Sequence, residues 1–117
     1  MTSRIVATAV ALALAATPTL AAEQPQLVTN GNDWVQSCLG TNVPMSVWCN
    51  GYARGYADAF IFWKVAEPKT AKVCIPDKTQ TAVLVLAVTR YINGHPESRQ
   101  APIGALVAIA LLEAWSC

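Results

Sequence analysis

Four cysteines behind an export signal set the narrowest limits on what this chain can become. Residues 1–4 are a short polar start with one cation, residues 5–16 an almost unbroken aliphatic and alanine run, and Pro18, Thr19, Leu20 and Ala21 a small-residue exit. Those are the three regions of a secretory signal peptide. The apolar run is shorter than the ~18 residues that a membrane span needs. Cleavage is expected after Ala21 or Ala22, so that residues 1–21 form the signal and residues 22–117 a single domain free of the membrane. Cys38, Cys49, Cys74 and Cys117 all lie in the exported part. An even number of thiols sent to an oxidising compartment reads as two disulfides.

The chain has 117 residues, 54% of them hydrophobic and 13% charged, and much of the apolar excess sits in the signal. Removing the signal takes away Arg4 and leaves Arg54, Lys64, Lys69, Lys72, Lys78, Arg90 and Arg99 against seven acids. A formally neutral domain without a basic block has little charge with which to grip nucleic-acid phosphate, so nucleic acid is not an expected partner. With about 95 residues, one core only just outweighs conformational entropy, and cross-links are the natural supplement. Zinc is disfavoured because no Cys-x-x-Cys pair exists and His95 is the single histidine. The same histidine has no recognisable partner for nucleophilic catalysis. Nucleophile elbow, phosphate loop and paired-carboxylate motifs are missing from the sequence too. No catalytic residue, metal or cofactor is expected, and binding to another protein is the natural task.

The pattern along the chain is helical. Residues 23–29 are polar, and Gly31 with Asn32 or Asp33 opens a short helix that runs to about Cys38 and ends at Gly40. The residue before Pro44 is pushed toward an extended conformation, which predicts a second helix beginning near Ser46, with Ser46 as its cap. Over residues 47–64, Trp48, Tyr52, Tyr56 and Phe60 recur every fourth position, and Gly51, Gly55 and Ala59 make a smooth stripe on the same cylinder. Each interior glycine costs about 1 kcal/mol relative to alanine, so another helix is expected to pack closely there, within the chain or across a dimer seam. Arg54 and Asp58 are one turn apart and are expected to pair on the exposed flank. A loop follows in which Lys64, Lys69 and Lys72 outnumber Glu67. Asp77 and Gln80 resemble a capping box for a third helix running from Lys78 to Asn93 or Gly94. Its length favours helix over a buried strand. After a turn at residues 94–97, residues 101–115 form the last helix, with Pro102 in its first turn.

The last two helices, each of about 16 residues and about 24 Å, are joined by a short turn and must lie antiparallel. Cys74, just before the first, then faces Cys117, just after the second. That selects Cys74–Cys117 and Cys38–Cys49 from the three possible pairings. The expected fold is all-α, a small bundle of four to five helices braced by two disulfides, and reduction is expected to unfold it.

Residues 49–59, Cys-Asn-Gly-Tyr-Ala-Arg-Gly-Tyr-Ala-Asp-Ala, resemble the Cys-x-Gly-Tyr-x-x-Gly-x-x-Asp-Ala segment of the Rap/Tai immunity proteins of type VI secretion systems. Cys74-Ile75-Pro76, the Tyr91-Ile92-Asn93-Gly94-His95-Pro96-Glu97 turn and the closing helix from Ala105 to Cys117 resemble further blocks of that family, so the likeness spans most of the mature chain. Trp115-Ser116-Cys117 stands where the family has Phe-Pro-Cys. The resemblance implies a helical periplasmic protein, often a homodimer, that binds a secreted peptidoglycan amidase effector and blocks its active-site cleft. Two loops, residues 67–72 and 93–100, are the candidate contacts, with Glu67, Lys69 and Lys72 in one and His95, Glu97 and Arg99 in the other. Rival readings are an acid-stress periplasmic chaperone of the Hde type and a structural adaptor of an envelope complex.

Overall fold

A computed structural model describes residues 10–18 and 27–117. The start of the predicted signal peptide and its cleavage site after Ala21 or Ala22 lie outside the described residues. Helix α1 spans Gly31–Cys38, α2 Val43–Ala66, α3 Thr81–Gly94 and α4 Ile103–Ala114, with a single 3-10 turn at Pro96–Ser98. Among the described residues there are no strands, only isolated bridges pairing Asn30 with Pro102 and Val73 with Ser116. The all-α expectation holds, with four α-helices. No helix of the described residues is long and apolar enough to cross a membrane.

Helix α1 opens at Gly31 as the sequence leads one to expect, whereas α2 and α3 start elsewhere, and each start has a local reason. Helix α1 opens at Gly31 because Asn30 caps it: the Asn30 side chain accepts the Asp33 N–H at 3.0 Å, and the Asp33 carboxylate accepts the Asn30 N–H at 3.3 Å. Asp33 also accepts the Thr29 backbone N–H at 2.9 Å and the Thr29 hydroxyl at 2.7 Å, and these bonds hold its carboxyl below the ordinary range. Helix α2 begins at Val43 rather than near Ser46, because Asn42 supplies the cap, accepting the Met45 N–H at 3.3 Å. Pro44 then falls in the first turn, where its missing N–H would have had no helical partner. Helix α3 begins at Thr81 without the predicted capping box. Asp77 instead sits in a turn closed by the Thr79 N–H and hydroxyl on the Pro76 carbonyl, at 3.0 and 2.8 Å. The guanidinium of Arg54 reaches across from α2 to the Thr79 carbonyl and to Thr81 Oγ1, the latter at 3.0 Å. The expected Arg54–Asp58 pair forms at 3.6 Å, but the same arginine also ties α2 to the start of α3.

The core is built from Trp34, Ile75, Leu84, Val88, Ile92, Leu106, Val107 and Leu111, all essentially inaccessible. The one polar atom of Trp34 is satisfied, Nε1 donating to Thr89 Oγ1 at 3.1 Å. What α2 contributes to this core is the four-residue series Met45, Cys49, Ala53 and Ala57. The aromatic series Trp48, Tyr52, Tyr56 and Phe60 packs beside it, half-buried.

The glycine stripe corrects the expectation of close packing within the chain. Gly51, Gly55 and Ala59 are exposed, and a methyl group added at either glycine would meet nothing within 4 Å. Close approach occurs instead at Gly104 of α4, where a Cβ would stand 2.5 Å from the Tyr56 hydroxyl and 3.2 Å from that of Tyr52. On α2 the residues small enough to admit neighbours are Ala53 and Ala57.

The disulfides pair as the helical hairpin required, Cys38 with Cys49 and Cys74 with Cys117, at Cα separations of 5.8 and 5.0 Å. The second is flanked by backbone bonds from the Cys74 N–H to the Trp115 carbonyl at 2.7 Å and from the Cys117 N–H to the Lys72 carbonyl at 3.1 Å. Residues 72–74 and 115–117 are thereby fastened side by side.

The two kinds of glycine separate in urea denaturation. Gly104→Ala is expected to lower stability by about 1–3 kcal/mol through overpacking against the tyrosines. Gly51→Ala and Gly55→Ala are each expected to raise it by up to about 1 kcal/mol, because they remove backbone freedom at open positions. Equal stability of all three variants would contradict this packing.

Candidate functional site

Helix α2 carries the most exposed of the helices' large hydrophobic side chains, Val65 and Phe62 among them. At 24 residues the helix is about 36 Å long, yet its last fully buried residue is Ala57. Beyond that point Phe60, Ile61, Phe62, Trp63 and Val65 are apolar on every side of the cylinder, more than one contact face can bury. Phe62 is 72% exposed, Val65 77% and Trp63 49%.

Part of this surplus meets α4 in a groove of about 370 Å³. Phe60 and Trp63 of α2 stand on one side, Ala108, Ile109 and Leu112 of α4 on the other, and residues 70–73 close it. Ile109 and Leu112 remain 41% and 37% exposed. The Trp63 indole is fixed in place, its Nε1 donating to Thr70 Oγ1 at 3.2 Å. The Thr70 hydroxyl in turn donates to the Glu67 carbonyl at 3.3 Å. Further back along α2, Gly51, Tyr52, Gly55, Tyr56 and Ala59 line a second, shallower depression. Trp48 stacks on Tyr52 with ring centroids 4.8 Å apart, and Tyr52 leans on Tyr56 at 5.3 Å. An aromatic and small-residue face thus runs along α2 from Trp48 to Trp63. Contiguous exposed apolar surface of this kind marks interaction sites in proteins that otherwise bury it.

The two candidate contact loops do not come together. Glu67, Lys69 and Lys72 lie beside the end of α4, where Lys72 is bonded to Cys117, and all three are exposed. His95, Glu97 and Arg99 lie at the opposite end, beside the starts of α1 and α4. The 12 residues of α4 put about 18 Å between the two groups. Only the first loop borders the groove, through Thr70, Ala71 and Lys72. In the second, Arg99 has a structural duty: its carbonyl accepts the Gly31 and Asn32 N–H groups at 2.8 and 3.3 Å, holding the start of α1. Its side chain reaches the Asn93 Oδ1 at 3.3 Å. His95 stacks on Tyr91 with centroids 4.0 Å apart, and its Nδ1 lies 2.7 Å from the Tyr91 carbonyl, which makes Nδ1 the protonated nitrogen. Glu97 is exposed. Sequence reasoning missed Trp63, Ile109 and Leu112 as surface residues; the signal was the run over residues 59–63, too apolar all round for a one-sided helix.

The electrostatics of the face centre on Tyr52. Burial, helped by the neighbouring Tyr56 hydroxyl, pushes its phenol up to about 12. A phenol harder to ionise in the folded than in the unfolded chain lends stability that is complete below pH ~10 and is lost as the pH rises toward about 12. Chemical denaturation between pH 9 and pH 12 should therefore show a steeper alkaline loss for the wild type than for Tyr52→Phe. Parallel curves would remove this burial from the account.

Among the described residues, no three His, Cys, Asp or Glu side chains stand together as a metal site, and no cysteine is free. What the domain offers a partner is shape and apolar surface on a cross-linked frame. Neither the curated proteins nor the solved structures compared with the chain gave a significant match. The sequence profile of the Rap1a immunity proteins, however, matches residues 30–117, the stretch from the cap of α1 through the second disulfide. Carrying all four helices and both cross-links within that match, the chain belongs to the Rap1a immunity protein family.

Proposed function

We propose that this protein acts in the periplasm, after removal of its signal peptide, and neutralises a secreted peptidoglycan amidase effector of a type VI secretion system by covering the effector's active-site cleft. The observation that carries this reading is the family match over residues 30–117, because it coincides with the disulfide-braced domain that exposes an aromatic face. A cysteine amidase must admit an extended peptide to its thiolate, so a rigid wedge in that entrance stops turnover without chemistry by the inhibitor. Binding, not catalysis, is the task.

The physical requirements for such a wedge are a desolvated apolar centre and a polar rim. The groove between α2 and α4 offers the first, and the loop carrying Glu67, Lys69 and Lys72 offers the second. The turn with His95, Glu97 and Arg99 is about 18 Å away across α4 and touches the same partner only if the interface spans that end of the bundle too.

The test is inhibition of peptidoglycan cleavage by purified amidase effectors, read against added mature protein. One amidase should lose activity at stoichiometric inhibitor, with an affinity of about nanomolar order by calorimetry. N-terminal sequencing of the periplasmic fraction should find a chain beginning at Ala22 or Glu23. If no amidase is inhibited and the protein co-purifies with an unrelated envelope complex, the adaptor reading replaces this one. Client protection on acidification would favour a chaperone.

A further inference from the structure

The groove has an apolar floor and a lopsided rim. Phe60 and Trp63 face Ile109 and Leu112, Val73 lies at the closed side, and Lys72 stands at the mouth. The polar atoms of Trp63 and Thr70 are spent on each other and on the Glu67 carbonyl. The floor therefore suits an apolar side chain and rewards no polar one. Its volume of about 370 Å³ is at the small end of ligand pockets, enough for one or two large side chains.

Charge is distributed unequally around it. On the loop side Lys64, Lys69 and Lys72 are exposed, with Glu67 the single acid of residues 64–72. Among the described residues none of the three lysines has an ion-pair partner; the pair found there is Arg54–Asp58, elsewhere on α2. On the α4 side an acid, Glu113, follows Leu112. Lys72 is the charged residue of the lining, so a ligand carboxylate is drawn to the loop wall.

We infer that the groove between α2 and α4 takes a protein segment in which an aliphatic or aromatic anchor is followed by carboxylates. The anchor enters between the Phe60–Trp63 and Ile109–Leu112 walls, and the carboxylates lie toward Lys72, the charged residue of the lining. Identifying the owner of that segment as the amidase effector rests on the immunity reading, whereas the chemistry of the groove does not. Most of the affinity comes from the anchor, since exposed ion pairs contribute little. The lysines set direction and association rate.

Two capped peptides, Leu-Trp-Asp-Asp and Leu-Trp-Asn-Asn, probe this by NMR titration of the mature protein. Both should shift the signals of Trp63 and Ile109, the acidic one binding about fivefold tighter at low salt. Lys72→Glu should erase that preference while leaving the neutral peptide unaffected. Ile109→Asp, at a partly exposed position, should weaken both peptides by about tenfold or more. Val47→Asp, exposed near the start of α2, should change neither, and thermal melts verify that each variant is folded. Absence of groove shifts, or a preference that survives Lys72→Glu, would overturn the inference. So would a wild-type dimer that Ile109→Asp dissociates, since a second copy would then fill the groove. If an inhibited amidase binds Ile109→Asp as tightly as wild type, the groove assignment fails and the immunity reading stands. If no amidase binds while the acidic peptide does so as described, the groove stands and the immunity reading fails.

Discussion

The bond between Cys74 and Cys117 is the constraint on which the rest of this domain hangs. It joins positions 43 residues apart and closes the α3–α4 hairpin at its open end. By loop-entropy arguments such a ring is worth about 4 kcal/mol, and the short Cys38–Cys49 ring about 3 kcal/mol, together close to the net stability of a domain this size. Its geometric effect matters as much. The bond and its two flanking backbone hydrogen bonds lay residues 72–74 along residues 115–117, and that pairing sets Val73 and Lys72 against the end of α4. The groove has a wall because the chain is pinned there.

The second determinant is which side of α2 faces inward. Burying Ala53 and Ala57, with Met45 and Cys49 before them, lets the neighbouring helices approach a surface of small side chains. The bulkier aromatic series is thereby rotated to the border of the core, where Tyr52 and Tyr56 close over Gly104. Had the aromatics been central, α3 would stand further off and the face from Trp48 to Trp63 would be spent on the core. The alanines fill the interior and leave the aromatics available.

Much of this was legible in the sequence. Helices show in four-residue recurrences, and two antiparallel helices of similar length leave only one way to pair four cysteines. What the sequence hid depends on partners distant along the chain. Asp77 and Gln80 have the spacing of a cap, but the Arg54 guanidinium, 25 residues earlier, occupies the Thr79 carbonyl and the turn closes on Pro76 instead. Gly51 and Gly55 look like a packing seam because small residues serve either to admit a neighbour or to leave a surface smooth, and sequence spacing cannot tell these apart. Gly104, which is under real steric demand, stands alone in α4 without a stripe to announce it. The two candidate loops were alike in sequence as exposed connections, and only the direction of α4 puts them at opposite ends.

An apolar face on a formally neutral domain invites self-association, and its rigidity is what makes it useful as a binding surface. Association costs the ordering of side chains and loops, and a surface already ordered avoids most of that cost. Here the Trp63 indole is held by Thr70, the 70–73 wall is fixed through its neighbours by the second disulfide, and Tyr52 and Tyr56 are wedged against α4. A loosely packed helical pair with the same composition would expose the same area and bind weakly and to many partners. Cross-linking therefore does more than offset a small core: it converts apolar surface that would otherwise be a liability into one defined shape, which is what selective binding requires.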